Sequence, residues 1–393
     1  MKSKNTLVPE TNRTVSIDIL RGFALLGILL VNMPTFNTPV LYMGGFDENS
    51  SNLDSILSSL VELFAQGSFY PLFAFMFGYG AIIIAENSRR KGISFPKLFS
   101  KRLAILLVIG LIHAFLLWSG DILLMYALTG FLFILFYKLS GKALLGTGIA
   151  LYIVSAFLPL LQRMPEEGSF ENTSAAAQKS IESYRDGTFS EIFSQRFTDW
   201  MSMNTENQAL VMAVGVLGLM LMGAAFAKLQ WISNASAHKP LVKRLLFAGL
   251  ILGFGIKFLG NINMESMIFM VFQQIGGPLI SLFYMMGIIL LVELPIARKL
   301  LQPLSFVGRL SMTNYLLQST VMTFIFYSYG FGLYNSISYT TGFMLVFAFF
   351  ALQVLFSKWW ASQYRYGPVE YVWRWGTYGK KPIFKKDLKR DVA

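Results

Sequence analysis

Ala104-Ile105-Leu106-Leu107-Val108-Ile109-Gly110-Leu111-Ile112 carries no polar side chain at any position. Strands of a membrane barrel alternate outward and inward side chains, so an unbroken apolar run excludes a barrel and reads as a helix in lipid. Ten stretches of this kind lie near 17–36, 56–86, 102–118, 122–139, 143–162, 207–229, 241–261, 268–293, 304–329 and 337–361. At roughly 20 residues per crossing, ten spans need about 200 mostly apolar residues. The chain meets that requirement, with 54% hydrophobic and only 14% charged residues in 393. These proportions exclude a single soluble core and a disordered chain. The absence of cysteine excludes a disulfide-stapled scaffold or a zinc ribbon. The expected architecture is an all-α integral membrane protein, a polytopic bundle of about ten transmembrane helices. Pro71 and Gly78 in the second stretch, and Gly276, Gly277 and Pro278 in the eighth, predict tilted, kinked or broken helices there.

Loop charge sets the orientation, because basic residues collect on the cytoplasmic side. The loops after the second, fourth, sixth and eighth stretches hold Arg89, Arg90, Lys91 and Lys97, then Lys138 and Lys142, then Lys239, Lys243 and Arg244, then Arg298 and Lys299. The loops after the first, third, seventh and ninth hold no Lys or Arg outside the helices. The segment 163–206 sets Arg163, Lys179, Arg185 and Arg196 against eight acidic residues and reads as extracytoplasmic, with one or two amphipathic helices around Ile181–Trp200. Both termini are therefore expected in the cytoplasm. The tail 363–393, with Lys380, Lys381, Lys385, Lys386, Lys389 and Arg390, adds to the same face. The net charge of +12 is then mostly topology, and no nucleic-acid partner is expected. Asp18 and Arg21 interrupt the first stretch, which also lacks a small-residue cleavage site, so it reads as a retained span rather than a signal peptide. No Walker loop, zinc-protease motif or dinucleotide fingerprint stands in a suitable context, which argues against a primary pump or an embedded soluble enzyme.

Ionisable groups within spans are costly unless paired or wet, so they mark candidate sites. His113 lies about 16 Å along its helix from Arg102, near or beyond the bilayer midplane. It reads either as a neutral imidazole bonded to a neighbouring helix or as a catalytic or proton-relay group. Asp121, in Trp118-Ser119-Gly120-Asp121, suits an N-cap for the following helix and stands close enough to orient His113. Asp18 and Arg21 are three residues apart on one helix face, which suits a local ion pair. Alternatively Arg21, with Lys101 and Arg102, forms a cation site for a phosphorylated cofactor. Asn314 and Gln318 sit deep in the ninth stretch and, with Asn32, Gln66, Gln273 and Gln274, are candidates to line a polar cavity. The bland account is interhelical hydrogen bonding. His238 reads as a solvated loop residue. No metal-ligand spacing is present, so no metal is expected.

Four stretches carry a resemblance. They are Ile17 to Met33 with its Ile17-Asp18-Ile19-Leu20-Arg21-Gly22 opening, Arg102 to Asp121, Gly308-Arg309-Leu310-Ser311-Met312-Thr313-Asn314-Tyr315 to Gln318, and Phe356 to Arg374 with Tyr364-Arg365-Tyr366-Gly367-Pro368-Val369-Glu370. Together they resemble the YeiB-like family of bacterial membrane proteins, domain of unknown function 418. The resemblance implies a multi-pass protein of the bacterial plasma membrane. The opening motif is also similar to that of the transmembrane acyltransferases, including heparan-glucosaminide acetyltransferase and the acyltransferase-three proteins. Those relatives are taken to use cytosolic acyl-CoA through a histidine within the membrane.

Carried over, the similarity makes His113 the base or transient acyl carrier, with Asp121 beside it and Arg21, Lys101 and Arg102 on the donor phosphates. Asn314 or Gln318 would then supply oxyanion donors. The partners expected are membrane lipids, acyl-CoA and an acceptor that the residues do not identify, with a homodimer left open. Two other classes stay in view. One is a proton-coupled transporter of a small molecule or lipid, built on His113, Lys257 and Asp121. The other is a non-enzymatic lipid-binding protein.

Overall fold

The computed structural model describes residues 10–43, 51–161, 170–262 and 267–386; Arg163, Lys389 and Arg390 lie outside them. In chain order the helices are α1 (Glu10–Asn37), α2 (Asn52–Phe64), α3 (Phe69–Arg90), α4 (Phe95–Ile112), α5 (Leu123–Phe136), α6 (Gly141–Phe157), α7 (Phe170–Arg185) and α8 (Phe189–Met203). They continue as α9 (Glu206–Lys228), α10 (Lys239–Ala248), α11 (Phe254–Ile262), α12 (Met267–Leu291), α13 (Pro295–Arg309), α14 (Ser311–Phe326), α15 (Tyr339–Gln363) and α16 (Pro368–Tyr378). Among the described residues the one extended pairing is an isolated bridge between Tyr364 and Lys385.

The protein is thus all-helical, and seven of its helical segments are long and apolar enough to cross a membrane: Val15–Asn37, Asn52–Arg90, Phe95–Leu117, Gly141–Leu160, Glu206–Lys228, Val271–Leu291 and Tyr339–Gln363. The other three apolar stretches are helical but interrupted or short. Helix α5 has 14 residues, about 21 Å against a hydrocarbon core of roughly 30 Å. Helices α10 and α11 are joined through a π-helical turn, Gly249–Gly253, and α13 meets α14 at Leu310.

Glycines set the closest helix approaches, since without a Cβ two backbones come nearer than any other residue permits. A Cβ on Gly22 would collide with the Leu304 carbonyl, and one on Gly308 with the carbonyl of Asp18, so α1 and α13 cross in backbone contact. Gly78 against Met220 and Gly223 against Phe75 bring α3 onto α9 in the same way. Gly148 and Gly218 do so for α6 and α9.

The second stretch is broken, at 65–68 between α2 and α3, where Gly67 adopts φ +68°. Pro71 falls in the first turn of α3, where its missing N–H would have no intrahelical partner anyway. The eighth stretch, by contrast, stays one helix through Pro278. Proline at 278 frees the carbonyl of Gln274, four residues earlier, and the Tyr152 hydroxyl donates to that oxygen at 2.6 Å. The segment 163–206 supplies α7 and α8 as a helix pair, with a Thr188–Glu191 capping box opening α8.

Candidate functional site

Helix α4 does not end cleanly. Its last turn, His113–Leu117, is π-helical and is closed by the Trp118 N–H donating to the His113 carbonyl at 2.8 Å. Widened turns of this kind re-aim side chains and recur at functional sites. Gly120 lets the chain turn back over Trp118, whose ring occupies the space a Cβ would need; Trp118 packs on Phe36 at 4.2 Å. That turn delivers Asp121 to His113. The imidazole is fully buried, with Nδ1 2.7 Å from Asp121 Oδ1 and Nε2 2.8 Å from Ser319 Oγ of α14. The second Asp121 oxygen accepts the Leu124 N–H at 2.7 Å, so the same carboxylate also caps α5.

Donor and acceptor roles follow from the inventory of groups. A carboxylate only accepts, so Nδ1 carries the proton, and in neutral imidazole Nε2 is left to accept from the Ser319 hydroxyl. Tyr315, one turn before Ser319, lies 5.0 Å from the imidazole, and its buried hydroxyl proton finds no acceptor among the described residues.

The structure brings His113 and Asp121 together as the sequence suggests and adds Ser319, which the sequence reading missed. Ser319 follows Gln318 directly and stands four residues after Tyr315, a helical repeat that puts both on the face toward His113. Asn314 and Gln318 lie on the same helix but spend their amides elsewhere. Asn314 Nδ2 donates to the Val307 carbonyl at 3.0 Å and to Ser357 Oγ at 2.9 Å. Gln318 Nε2 donates to the Leu25 carbonyl at 3.2 Å and to Gln353 Oε1 at 3.0 Å, and Gln353 returns a bond to the Asn314 carbonyl at 2.9 Å. This ladder ties α14 to α1, α13 and α15. Asn32 is half-buried on α1, where its carbonyl accepts from Thr35 Oγ1 at 2.7 Å. Lys257 belongs to a different place. Its ammonium donates to the carbonyls of Glu62, Leu63 and Gln66 and so closes the C-terminal end of α2.

At the other end of α4 the cations gather. Arg21 pairs with Asp18 at 3.6 Å, and Asp18 also feels Arg309. The Arg102 guanidinium sits 4.1 Å over the Trp373 ring, and Trp373 Nε1 donates to the Arg102 carbonyl at 2.8 Å. The charges acting on Arg102 include Arg374 and Arg21, two like charges. Lys101 is exposed. Arg374, which the sequence reading left out of the site, therefore joins Arg21 and Arg102. It is placed there by α16, and α16 is held by Glu370. The Glu370 carboxylate accepts the N–H groups of Met312 at 2.7 Å and Thr313 at 3.1 Å, capping α14. Burial pushes the Glu370 carboxyl above the ordinary glutamate range, against the pull of its bonds from Thr313 and Met312.

A family model described as "Protein of unknown function (DUF418)" matches residues 226–380. The chain is also 34% identical to "Uncharacterized protein YxaH" of Bacillus subtilis (strain 168), over 96% of this chain and 97% of the relative. The chain belongs to the DUF418 family. It is likewise 30% identical to an uncharacterized 39.9 kDa protein of Bacillus acidopullulyticus, over 95% of this chain and 96% of the relative. It is 29% identical to "Uncharacterized protein YeiB" of Escherichia coli (strain K12), over 92% of this chain and 95% of the relative. The DUF418 match holds Ser319 and Glu370, while His113, Asp121 and the α1 opening lie ahead of it.

In this DUF418 chain α8 covers the His113 end. Arg196, fully buried, donates to the Phe115 carbonyl of the π-helical turn at 3.0 Å. Asp199 accepts from Tyr184 at 2.6 Å, Tyr42 at 2.6 Å and Gln195 at 2.8 Å. Burial raises the Asp199 carboxyl above the usual aspartate range even so. A narrow cleft, with room for about one water, opens beside it, with Tyr42, Ser119, Ser180, Asp199 and Tyr334 among its walls.

Proposed function

We propose that this chain is a multi-pass membrane acyltransferase that takes an acyl group from acyl-CoA and passes it to an acceptor within or across the bilayer. The observation that carries this reading is the buried Asp121–His113–Ser319 hydrogen-bond chain, a base with its orienting carboxylate in a water-poor setting. A thioester is already activated, so the protein has only to position it, remove a proton from the nucleophile and stabilise an oxyanion. Arg102 stands about 16 Å from His113 along α4, and with the charges of Arg21 and Arg374 acting on it suits the donor's phosphates while the pantetheine arm runs toward His113. Lys101, exposed beside them, adds to the field.

The membrane arrangement proposed with it has all ten apolar stretches crossing or entering the bilayer of the bacterial plasma membrane. The α16 end and both termini face the cytoplasm, and α7 and α8 lie outside. Membrane lipids surround the bundle, and a homodimer is compatible with its broad apolar surface. Transport through Lys257 is the weaker reading, because that ammonium is spent on the end of α2.

The test is thioester cleavage by the full-length protein in lipid nanodiscs, followed as free CoA thiol from acetyl-CoA and longer acyl-CoAs. His113→Ala should lower the rate by about a hundredfold or more. An unchanged rate in that variant rejects the role of His113.

A further inference from the structure

We infer that Ser319 is a nucleophile and that acyl transfer runs through an oxygen ester on its side chain; the acyl-CoA donor in this statement rests on the reading above. Serine and threonine hydroxyls inside helices ordinarily donate back to the carbonyl three or four residues earlier. This chain follows that habit at Thr129 to Met125 (2.7 Å), Ser155 to Tyr152 (2.7 Å), Ser305 to Gln302 (2.7 Å) and Thr320 to Leu316 (2.8 Å). Ser319, adjacent to Thr320 on the same helix, does otherwise. Its hydroxyl is paired with His113 Nε2, across from α4, and it is 1% exposed.

A hydroxyl bonded to an imidazole whose other nitrogen is held by a carboxylate is the arrangement that activates serine in hydrolases of unrelated folds, where geometry and roles identify it rather than sequence position. The three residues come from the end of α4, the turn after it and the middle of α14. His113 and Ser319 lie on helical backbone, and the Asp121 carboxylate on the turn is held by its bonds to His113 and the Leu124 N–H, which suits a pre-set attack geometry. Tyr315 stands on the same face of α14 with a buried hydroxyl proton that finds no acceptor among the described residues, a donor available to the oxyanion.

The steps balance without an added reagent. His113 Nε2 takes the Ser319 proton as Oγ attacks the thioester carbonyl. The tetrahedral adduct collapses with cleavage of the C–S bond, and the imidazolium returns that proton to the departing CoA thiolate. The acyl group now rests on Ser319. An acceptor hydroxyl or amine then gives its proton to Nε2, attacks the ester carbonyl and leaves with the acyl group, and the imidazolium reprotonates Ser319. Asp121 holds the ring throughout and accepts no proton. A covalent carrier lets donor and acceptor use the buried site in turn instead of together.

Two probes on the full-length protein in nanodiscs test this. An alkyl fluorophosphonate reacts with activated serines whatever the natural donor; radiolabelled acetyl-CoA without acceptor reports the acyl step. The expected result is fluorophosphonate on Ser319 by peptide mass mapping, absent in Ser319→Ala and reduced about a hundredfold or more in rate in His113→Ala. Acetyl-CoA should leave label on Ser319 that survives neutral hydroxylamine, as an oxygen ester does, and Ser319→Cys should make that label hydroxylamine-labile. Fluorophosphonate labelling without acetyl or longer-chain transfer upholds the nucleophile and rejects acyl-CoA as the donor. Thiol release with the label on His113, or at an unchanged rate in Ser319→Ala, rejects the serine and leaves acyl transfer standing. No modification of Ser319 by either reagent, in protein that keeps a cooperative thermal transition, overturns the proposal.

Discussion

Asp121 serves two partners with its two oxygens: Oδ1 lies 2.7 Å from His113 Nδ1, and Oδ2 accepts the Leu124 N–H at 2.7 Å. One carboxylate therefore starts α5 and fixes the tautomer and tilt of the imidazole. The two roles separate by mutation. Asparagine is as good a helix cap as aspartate, so Asp121→Asn should keep the thermal transition close to wild type. Asparagine can instead donate to Nδ1, which leaves Nε2 carrying the proton and unable to accept from Ser319. Under the proposed acyl transfer, thioester cleavage should then fall by about a hundredfold or more. Asp121→Ala should lose the cap as well, at about 1 kcal/mol, visible as a lower midpoint in differential scanning fluorimetry. A wild-type rate in Asp121→Asn would show that the carboxylate is only a cap.

The crossing of α1 and α13 depends on two glycines set against the opposing backbone. Because Leu304 and Asp18 meet them with carbonyl oxygens, no side-chain rearrangement makes room for a methyl group at either place. Gly308→Ala and Gly22→Ala should each destabilise by about 1–3 kcal/mol or more, through forced backbone shifts. Gly146, whose Cβ would meet nothing within 4 Å, is the control, and Gly146→Ala in α6 should be neutral to slightly stabilising. Equal thermal midpoints for the Gly308 and Gly146 variants would contradict the packing argument.

Much of this was legible in the amino-acid sequence, and the limits have physical causes. Apolar run length marked the helices, because lipid demands it of any crossing segment. Asp121 was placed near His113 because only seven residues separate them, so the turn keeps them close. Ser319 is 206 positions from His113, and a serine in a polar helix face looks the same whether it bonds its own helix or another. Arg374 escaped for the same reason. Its position depends on α16 folding back beneath α4, a docking fixed by Glu370 at the start of α14 and by Trp373 on Arg102. Conversely, Asn314 and Gln318 had the right residue types and depth for oxyanion donors, yet their amides are committed to Val307, Ser357, Leu25 and Gln353. Hydrogen-bond supply among neighbouring helices is not readable from one helix alone.

Glu370 gives a pH signature. Its folded-state carboxyl is raised by burial, so between the ordinary glutamate range and that raised value the folded chain binds more protons than the unfolded one. The contribution is therefore fully present at acid pH and is lost as pH rises through this window. Glu370→Gln removes the titration but retains an acceptor for Met312 and Thr313. The thermal midpoint of the variant minus that of wild type should rise from pH 4 to pH 7, on the order of several degrees or less. A difference that stays flat or falls with pH would mean the carboxylate is not penalised by burial. Glu370→Ala, which leaves two helix-start N–H groups without their acceptor, should be destabilised at every pH.

The guanidinium charges of Arg21 and Arg374 both act on Arg102, and among the described residues Arg21 alone of the three is ion-paired to a carboxylate, Asp18, at 3.6 Å. Like charges repel, and here the repulsion is accepted in the fold: Trp373 presents its ring face to Arg102, and Tyr366 presents its own to Arg374 at 4.5 Å. An anion relieves that repulsion, and a multiply charged one relieves it most. Adding CoA or 3′-phosphoadenosine 5′-phosphate should therefore raise the thermal midpoint of the wild-type protein, by mass action on the folded state. The rise should shrink with added salt, since the pairing at this half-exposed site is screened. Arg374→Ala and Arg102→Ala should each raise the midpoint of the ligand-free protein slightly or leave it unchanged while weakening the nucleotide-induced shift about tenfold or more in ligand concentration. Lys101→Ala, at an exposed position outside the stacked pair, should weaken it less. Should the nucleotide shift survive in the Arg102 and Arg374 variants, the cluster is a membrane-edge feature and not the phosphate site of the proposed donor. If CoA protects but adenosine lacking phosphates does so equally, the recognition is of the base and not of charge.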